Sequence, residues 1–164
     1  MGNALLRSPG LTLGALLSGG AIVGTLDILK PIVTNIINGR PPLRVFQAVA
    51  SGALGRSAYD GGWPTILLGA GFHYFIAFSV VVFYALVSRR VDAITRHPFI
   101  SGPIYGVGVY CFMQFVVFPL SAIGPVRHPL PTLVDGILTH IFLVGLPTAL
   151  LFRATSTLDL RTSV

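Results

Sequence analysis

Glutamate is absent from this sequence, and lysine occurs once, at Lys30. Charged residues of all kinds make up 10% of the chain, whereas a soluble globular domain carries about 25%. So little charge cannot cover the surface of a domain that faces water. The scarcity excludes an ordinary soluble fold and predicts a chain whose outer surface faces lipid.

Cysteine occurs once, at Cys111, so the sequence has neither an internal disulfide nor a cysteine metal cluster. It also lacks the H-E-x-x-H, G-x-S-x-G and P-loop motifs that accompany metal-dependent, hydrolytic and nucleotide chemistry. We therefore expect no catalytic residue and no metal site, and a protein that is not an enzyme.

The net charge of +6 comes mainly from arginine. A nucleic-acid-binding protein would gather its basic and aromatic residues on one continuous surface. Here the arginines are spread among the ends of apolar segments, which is typical of membrane proteins. The sequence therefore predicts a lipid bilayer, and no nucleic acid, as its surroundings.

Apolar residues make up 53% of the chain, and they fall into four long segments. Each segment reaches the roughly 20 residues that a helix needs to cross the hydrocarbon core. Lipid cannot satisfy open backbone groups, so helix is the expected structure. The predicted fold is an all-α integral membrane protein with one domain over residues 1–164. Its four transmembrane helices are expected over residues 11–37, 63–88, 99–123 and 132–153.

The linker between the first two segments contains a helical pattern over about residues 43–57. Its apolar positions recur at spacings of three and four, with Arg44, Gln47 and Ser51 between them, which predicts a short interfacial helix. Arg44 and Arg56 are expected at headgroup level, with residue 47 accessible from the water. An ordered loop without a role and a surface that senses lipid or docks a partner both remain open. The apolar positions are Leu43, Phe46, Val49, Ala50, Ala53 and Leu54.

The distribution of arginine predicts the orientation. With four crossings, both termini lie on one side, and that side carries six basic residues against four on the other. The positive-inside rule then places both termini in the cytoplasm. The six are Arg7, Arg89, Arg90, Arg96, Arg153 and Arg161; the four are Arg40, Arg44, Arg56 and Arg127.

Five polar residues interrupt the apolar segments: Asp27, Lys30, His73, Gln114 and His140. Apart from Lys30, they lie within about three residues of the segment centres, on the same side of the midplane, which is a shift of roughly 4–5 Å. Ionisable groups that faced lipid would each cost at least about 2.5 kcal/mol. We therefore expect these side chains to form one layer inside the bundle.

Small residues predict where the helices approach each other. Gly20 and Gly24 lie one turn apart in the first segment, and Gly102 and Gly106 in the third. Such pairs let helix backbones come close in a bilayer. They can serve helices of this chain, helices of another membrane protein, or a second copy.

Lys30 follows Asp27 by three residues, so the sequence predicts that the two side chains pair. Three interpretations of the polar layer remain. The residues can be interhelical hydrogen-bonding groups without further function. Asp27, His73 and His140 can form a proton or ion pathway. His73 and His140 can ligate a haem iron between two helices. No other cofactor is expected.

Three stretches of the chain resemble a known family: "GFHYFIAFSVVVFYALVSRR", "GPIYGVGVYCFMQFVVFPLSAIGP" and "DGILTHIFLVGLPTALLFR". They are similar to the YagU-like family of uncharacterised bacterial multi-pass inner-membrane proteins. The matching features are Gly71 and His73, the Phe118 to Leu120 element, and His140, within about residues 70 to 153. The resemblance implies a bacterial inner-membrane protein and no established reaction.

These observations lead to one functional hypothesis and two alternatives. The short loops, the lack of catalytic motifs and the glycine faces favour a non-enzymatic accessory subunit that packs against a larger membrane complex or forms a homo-oligomer. The first alternative is a small proton-coupled carrier or channel built on the polar layer. The second is a haem-binding bundle.

Overall fold

The computed structural model describes residues 12–161, with the backbone alone for Asp92 and for residues 156–161. Within that range the regular structure is helical and contains no strand. Helix α1 is Leu13–Ile37, α2 is Arg44–Leu54, α3 is Gly62–Ser88, α4 is Asp92–Arg96 and α5 is Pro98–Leu120. Helix α6 consists of Leu130–Thr139, His140–Gly145 and Leu146–Arg161 in succession.

Four of these helices are long and apolar enough to cross a membrane: α1, α3, α5, and α6 as far as Thr155. The prediction of an all-helical chain with four such helices is confirmed. Its boundaries differ from the observed ones by only a few residues, although Arg7 and Leu11 lie outside the described residues.

The long helices alternate in direction, so the bundle has two distinct ends. Residues 38–61 and 121–129 meet at one end, which we call the linker end. The α3–α5 connection, the start of α1 and the finish of α6 meet at the other, the terminal end. The antiparallel order is visible where Gly20 faces Phe78 and Gly24 faces Tyr74.

Helix α1 packs on α3 through its glycines. A Cβ on Gly20 would overlap the Phe78 ring, and one on Gly24 would lie 2.9 Å from Tyr74 and 3.0 Å from Ala77. Both positions are buried. Any larger side chain would push the two helices apart, so the glycines determine their separation.

Helix α5 packs on α6 more closely, backbone against backbone. A Cβ on Gly102 would lie 2.9 Å from Leu146 Cα, and one on Gly106 would lie 2.8 Å from Ile141 Cα. The α6 backbone at Gly145 approaches the same two residues. Both predicted glycine pairs therefore pack against helices of this chain.

The terminal end holds the tightest part of the core. Val81, Tyr84 and Phe152 are almost completely buried there, and the Tyr84 ring lies 5.7 Å from that of Phe152. Helices α3 and α5 are joined at this level because Tyr105 donates a hydrogen bond of 2.6 Å to the Val80 carbonyl. This end of the bundle is closed by packed side chains.

Two of the long helices leave α geometry at mid-length. Residues Met113–Val117 in α5 and His140–Gly145 in α6 form π-helical turns. Pro119 and Pro147 follow these turns by two residues. Proline has no N–H for the carbonyl four residues earlier and its ring crowds that carbonyl, so the preceding turn widens. Pro31 introduces the same constraint into α1.

Helix α2 exists where the sequence predicted a helix, but the predicted polar face was wrong. Gln47 and Ser51 are buried, whereas Leu54 is 44% exposed. The helix crosses α3 at Gly69, where a Cβ would lie 3.1 Å from Phe46 Cα. This contact turns Gln47 inward, and its amide donates to the Tyr59 carbonyl at 3.3 Å. Residues Gly55–Tyr59 form a 3-10 turn, so α2 is shorter than predicted.

Helix α2 also bridges the two sides of the linker end. It packs on α3 at Gly69, and its Gly52 carbonyl accepts a 2.8 Å hydrogen bond from Ala122, just beyond α5. Its position at a membrane interface stays a prediction.

The α5–α6 contact can be tested with two alanine substitutions in one helix. Gly106→Ala places a methyl group against the α6 backbone and should destabilise the protein by about 1–3 kcal/mol. Gly108→Ala is the matched control, because nothing lies within 4 Å of its Cβ position. Thermal unfolding in detergent measures both. Equal unfolding temperatures for the two variants would contradict the backbone contact.

Candidate functional site

A cavity of about 630 Å³ occupies the bundle between mid-length and the linker end. All four long helices line it, and α2 covers it with Val45, Ala48 and Val49. On opposite sides it is bounded by Phe72 and Ile76 of α3 and by Met113 and Val117 of α5, and most of its other walls are apolar too. Thus α3 and α5, which meet at the terminal end, are separated here by open space.

Each long helix contributes one polar residue to this cavity. They are Asp27 from α1, His73 from α3, Gln114 from α5 and His140 from α6. Four of the five polar residues singled out in the sequence are therefore brought together, and Lys30 is not among the lining residues. An apolar cavity with a few convergent polar groups is the usual form of a small-molecule site.

The π-helical turns explain how two of these residues reach the cavity. Gln114 lies within the turn of α5, and His140 begins the turn of α6. A π turn inserts an extra residue, which shifts the helix face that follows and leaves room beside it. Such turns often occur at functional sites.

His73 is anchored to α1. Its Nε2 lies 2.8 Å from the Gly24 carbonyl, and the side chain is only 8% exposed. A carbonyl oxygen only accepts, so the hydrogen is on Nε2. Gly24 thus has two roles, since it lets α3 approach and offers its carbonyl to His73.

His140 is held within its own helix. Its Nδ1 donates to the Gly136 carbonyl at 2.9 Å, which leaves Nε2 as an acceptor in the neutral ring. The ring meets that of Tyr110 edge-on at 5.4 Å. Tyr110 in turn accepts a hydrogen bond of 3.4 Å from the Gln114 amide. His140, Tyr110 and Gln114 therefore contact one another in succession and form a connected polar cluster on one wall of the cavity.

The haem interpretation gains no support from these hydrogen bonds. His140 has the arrangement of a ligating histidine, with one N–H on a carbonyl and the other nitrogen free. His73 uses Nε2 for Gly24, so only the more crowded Nδ1 would be left for an iron. Within residues 12–161, no cluster of three or more metal-ligating side chains is present.

The predicted pairing of Asp27 with Lys30 was wrong. The Lys30 ammonium instead donates to the Asp135 carboxylate and to the Thr139 hydroxyl, both on α6. Asp135 and Thr139 are four residues apart, so they present their oxygens on one helix face. Lys30 thus binds two acceptors on the neighbouring helix rather than the single carboxylate on its own helix. The sequence offered a signal in this i, i+4 pair, but it could not show that α1 and α6 are adjacent.

Because Lys30 pairs with Asp135, the Asp27 carboxylate has no ion-pair partner among the described side chains. In the part of the chain that the structure describes, no side chain or backbone group donates a hydrogen bond to its carboxylate. A charged group among apolar walls is costly unless it is paired. The site can therefore hold a ligand that offers a cationic or hydrogen-bond-donating group.

Comparisons with known proteins add no further constraint. No family model, no curated protein and no solved structure matches this chain. The resemblance to the YagU-like family stays a prediction, and the function must be argued from the cavity itself.

A double-mutant cycle separates the observed ion pair from the predicted one. Lys30→Met and Asp135→Asn should be coupled, whereas Lys30→Met and Asp27→Asn should be additive. Both members of the observed pair are partly exposed, at 33% and 63%. The coupling should therefore stay near that of exposed pairs, about 0.2–1 kcal/mol.

Unfolding free energies of the single and double variants in detergent give both coupling terms. A larger coupling of Lys30 to Asp27 than to Asp135 would show that the predicted pair is the real one.

Proposed function

We propose that the protein spans a membrane and acts as a small proton-coupled carrier, which binds an amphipathic molecule in the central cavity. The observation that carries this proposal is Asp27, a carboxylate without a partner in an apolar cavity at helix mid-length. Asp27 is half-buried, so its carboxylate is accessible from the cavity and available to a ligand.

The two ends of the bundle differ in how they bound the cavity. At the terminal end the cavity stops at packed core residues, including Tyr84 and Phe152. At the linker end it is covered by α2, a separate short helix joined to its neighbours by turns. Movement of α2 would open the cavity on one side without disturbing the core. A carrier must also open at the opposite end in turn, which here would require the helix pairs to move against each other.

Proton binding at Asp27 supplies a coupling mechanism. The charged groups and titratable rings around the cavity are Asp27 on α1, His73 on α3, His140 on α6 and the phenols of Tyr59 and Tyr110. With Asp27 ionised, the cavity favours a cationic group. With Asp27 protonated, it becomes neutral and offers a hydrogen-bond donor. The protonation state thus changes which ligand the cavity holds.

The bacterial inner membrane, with both termini in the cytoplasm, is our proposal for location. Support comes from the arginine distribution: Arg89, Arg90, Arg96 and Arg153 lie at the terminal end. Arg7 lies outside the described residues, and the side chain of Arg161 is not described. In this orientation α2 and the mouth of the cavity face the periplasm.

The accessory-subunit hypothesis stays a prediction, and the observed packing of the glycines weakens it. One of its grounds was the glycine pairs, and both pairs are used inside the chain. Large apolar side chains such as Phe75 and Phe115 do point outward, at 70% and 77% exposure. Lipid accounts for them without a partner helix.

Asp27→Asn tests the carrier function in proteoliposomes that contain a trapped pH dye. The wild type should show a proton flux that depends on an added amphiphile, with dodecyl phosphate, dodecyl ammonium and dodecanol as probes. Asp27→Asn should abolish this flux, because the amide cannot exchange a proton, and should not lower the unfolding temperature.

Asp60→Asn is the control, since Asp60 is exposed on the linker outside the cavity and should behave like the wild type. A wild type that neither binds any of the three probes nor conducts protons would overturn the proposed function. So would an Asp27→Asn variant with full flux.

A further inference from the structure

A second pocket lies beside the central cavity at the linker end. Its volume is about 620 Å³, and it is formed by the last turns of α1, the following turn and the start of α2. Its polar side chains are Asn35, Arg40, Arg44 and Tyr59. The proposed carrier function makes no use of this pocket.

The charge of the pocket is positive and uncompensated. Both Arg40 and Arg44 are exposed, and no acidic residue lines the pocket. Among the side chains that the structure describes, neither arginine has a carboxylate within ion-pair distance. A pair of guanidinium groups on one small concave surface attracts an anion.

Several contacts hold the arginines in place. The Arg44 guanidinium stacks over the Tyr59 ring, 4.8 Å from its centroid. The turn before α2 is closed because the Asn35 amide donates to the Pro41 carbonyl at 3.4 Å, and the Arg40 N–H donates to the Asn35 carbonyl at 2.8 Å. The Arg44 side chain is thus oriented by Tyr59, and the backbone at Arg40 is fixed by the turn.

The pocket and the central cavity are adjacent and share part of their lining. Pro31, Val45, Ala48 and Tyr59 line both of them. The arginines therefore stand at the mouth of an apolar space that reaches the middle of the helices. An anionic head with an attached apolar chain matches this combination.

We propose that Arg40 and Arg44 bind the phosphate-class headgroup of an amphiphile whose apolar chain lies in the central cavity. This inference rests on the proposed function, because it names the substrate class of the same cavity. Phosphate is favoured over a carboxylate because a phosphate monoester carries about −1.5 to −2 charges at pH 7, which two arginines neutralise.

The position of Asp27 fits this substrate class. Asn35, at the pocket, follows Asp27 by eight residues, which is about 12 Å along the helix. The headgroup and the Asp27 carboxylate are therefore well separated while the ligand waits at the mouth. An anionic headgroup that moved further inward would be repelled by the Asp27 carboxylate, because two anions repel strongly among apolar walls.

Binding measurements on the purified protein in nanodiscs of zwitterionic lipid test the headgroup site. The probes are dodecyl phosphate, dodecanol and inorganic phosphate. Dodecyl phosphate should bind best, and Arg40→Gln and Arg44→Gln should each weaken it about tenfold or more, the loss of one charge-assisted interaction. Arg56→Gln is the matched control, an exposed linker arginine outside both pockets that should bind normally.

Val49→Phe tests whether the chain enters the central cavity, because Val49 lines that cavity and not the arginine pocket. It should weaken dodecyl phosphate while leaving inorganic phosphate unchanged. Ala53→Phe is its control, on the exposed face of α2.

The outcomes separate this proposal from the carrier proposal. Equal binding of dodecanol and dodecyl phosphate, or full binding by the Arg40→Gln Arg44→Gln double variant, would overturn the headgroup site and leave the cavity function standing. Equal binding of inorganic phosphate and dodecyl phosphate would mean a site for free phosphate and would also overturn the proposal. Failure of every amphiphile to bind would instead reject the carrier function.

Discussion

Backbone contact at glycine is the constraint on which the rest of this bundle depends. Gly102 and Gly106 bring α5 against the α6 backbone at Ile141 and Leu146, and Gly20 and Gly24 bring α1 against α3. The helices are thereby held as two close pairs. Between the pairs, α3 and α5 touch through tyrosines at the terminal end and separate toward the linker end. The cavity is the space that this pairing leaves, and α2 covers it.

Polar groups enter that space because two of the helices that line it are irregular. Prolines widen the turns of α5 and α6 from which Gln114 and His140 project. Each of the other polar residues has a partner: His73 binds the Gly24 carbonyl, and Lys30 binds α6. Asp27 alone among the five residues of the predicted layer is left without a donor. The same packing therefore produces both the apolar cavity and the unpaired carboxylate inside it. We propose that the arginines at the linker end add a preference for anionic headgroups.

The fold could largely be predicted from the sequence, because segment length and hydropathy are local properties that the bilayer selects directly. The grouping of Asp27, His73, Gln114 and His140 also followed from depth along each segment. The partner of Lys30 could not be predicted, since it depends on α1 lying next to α6 rather than on spacing within α1. Gln47 was misplaced for a similar reason: its burial results from the contact at Gly69, which no periodicity within the linker reveals.

The account is tested most directly by asking whether water reaches Asp27 inside the bundle. In a Cys111→Ala background, Asp27→Cys and Val81→Cys are compared for reaction with a small charged methanethiosulfonate in nanodiscs. Only a thiolate reacts, so labelling reports access to water. Position 27 lines the cavity and should be labelled, whereas Val81 is fully buried and should not. An unreactive cysteine at position 27, in a protein that still folds, would contradict the central claim.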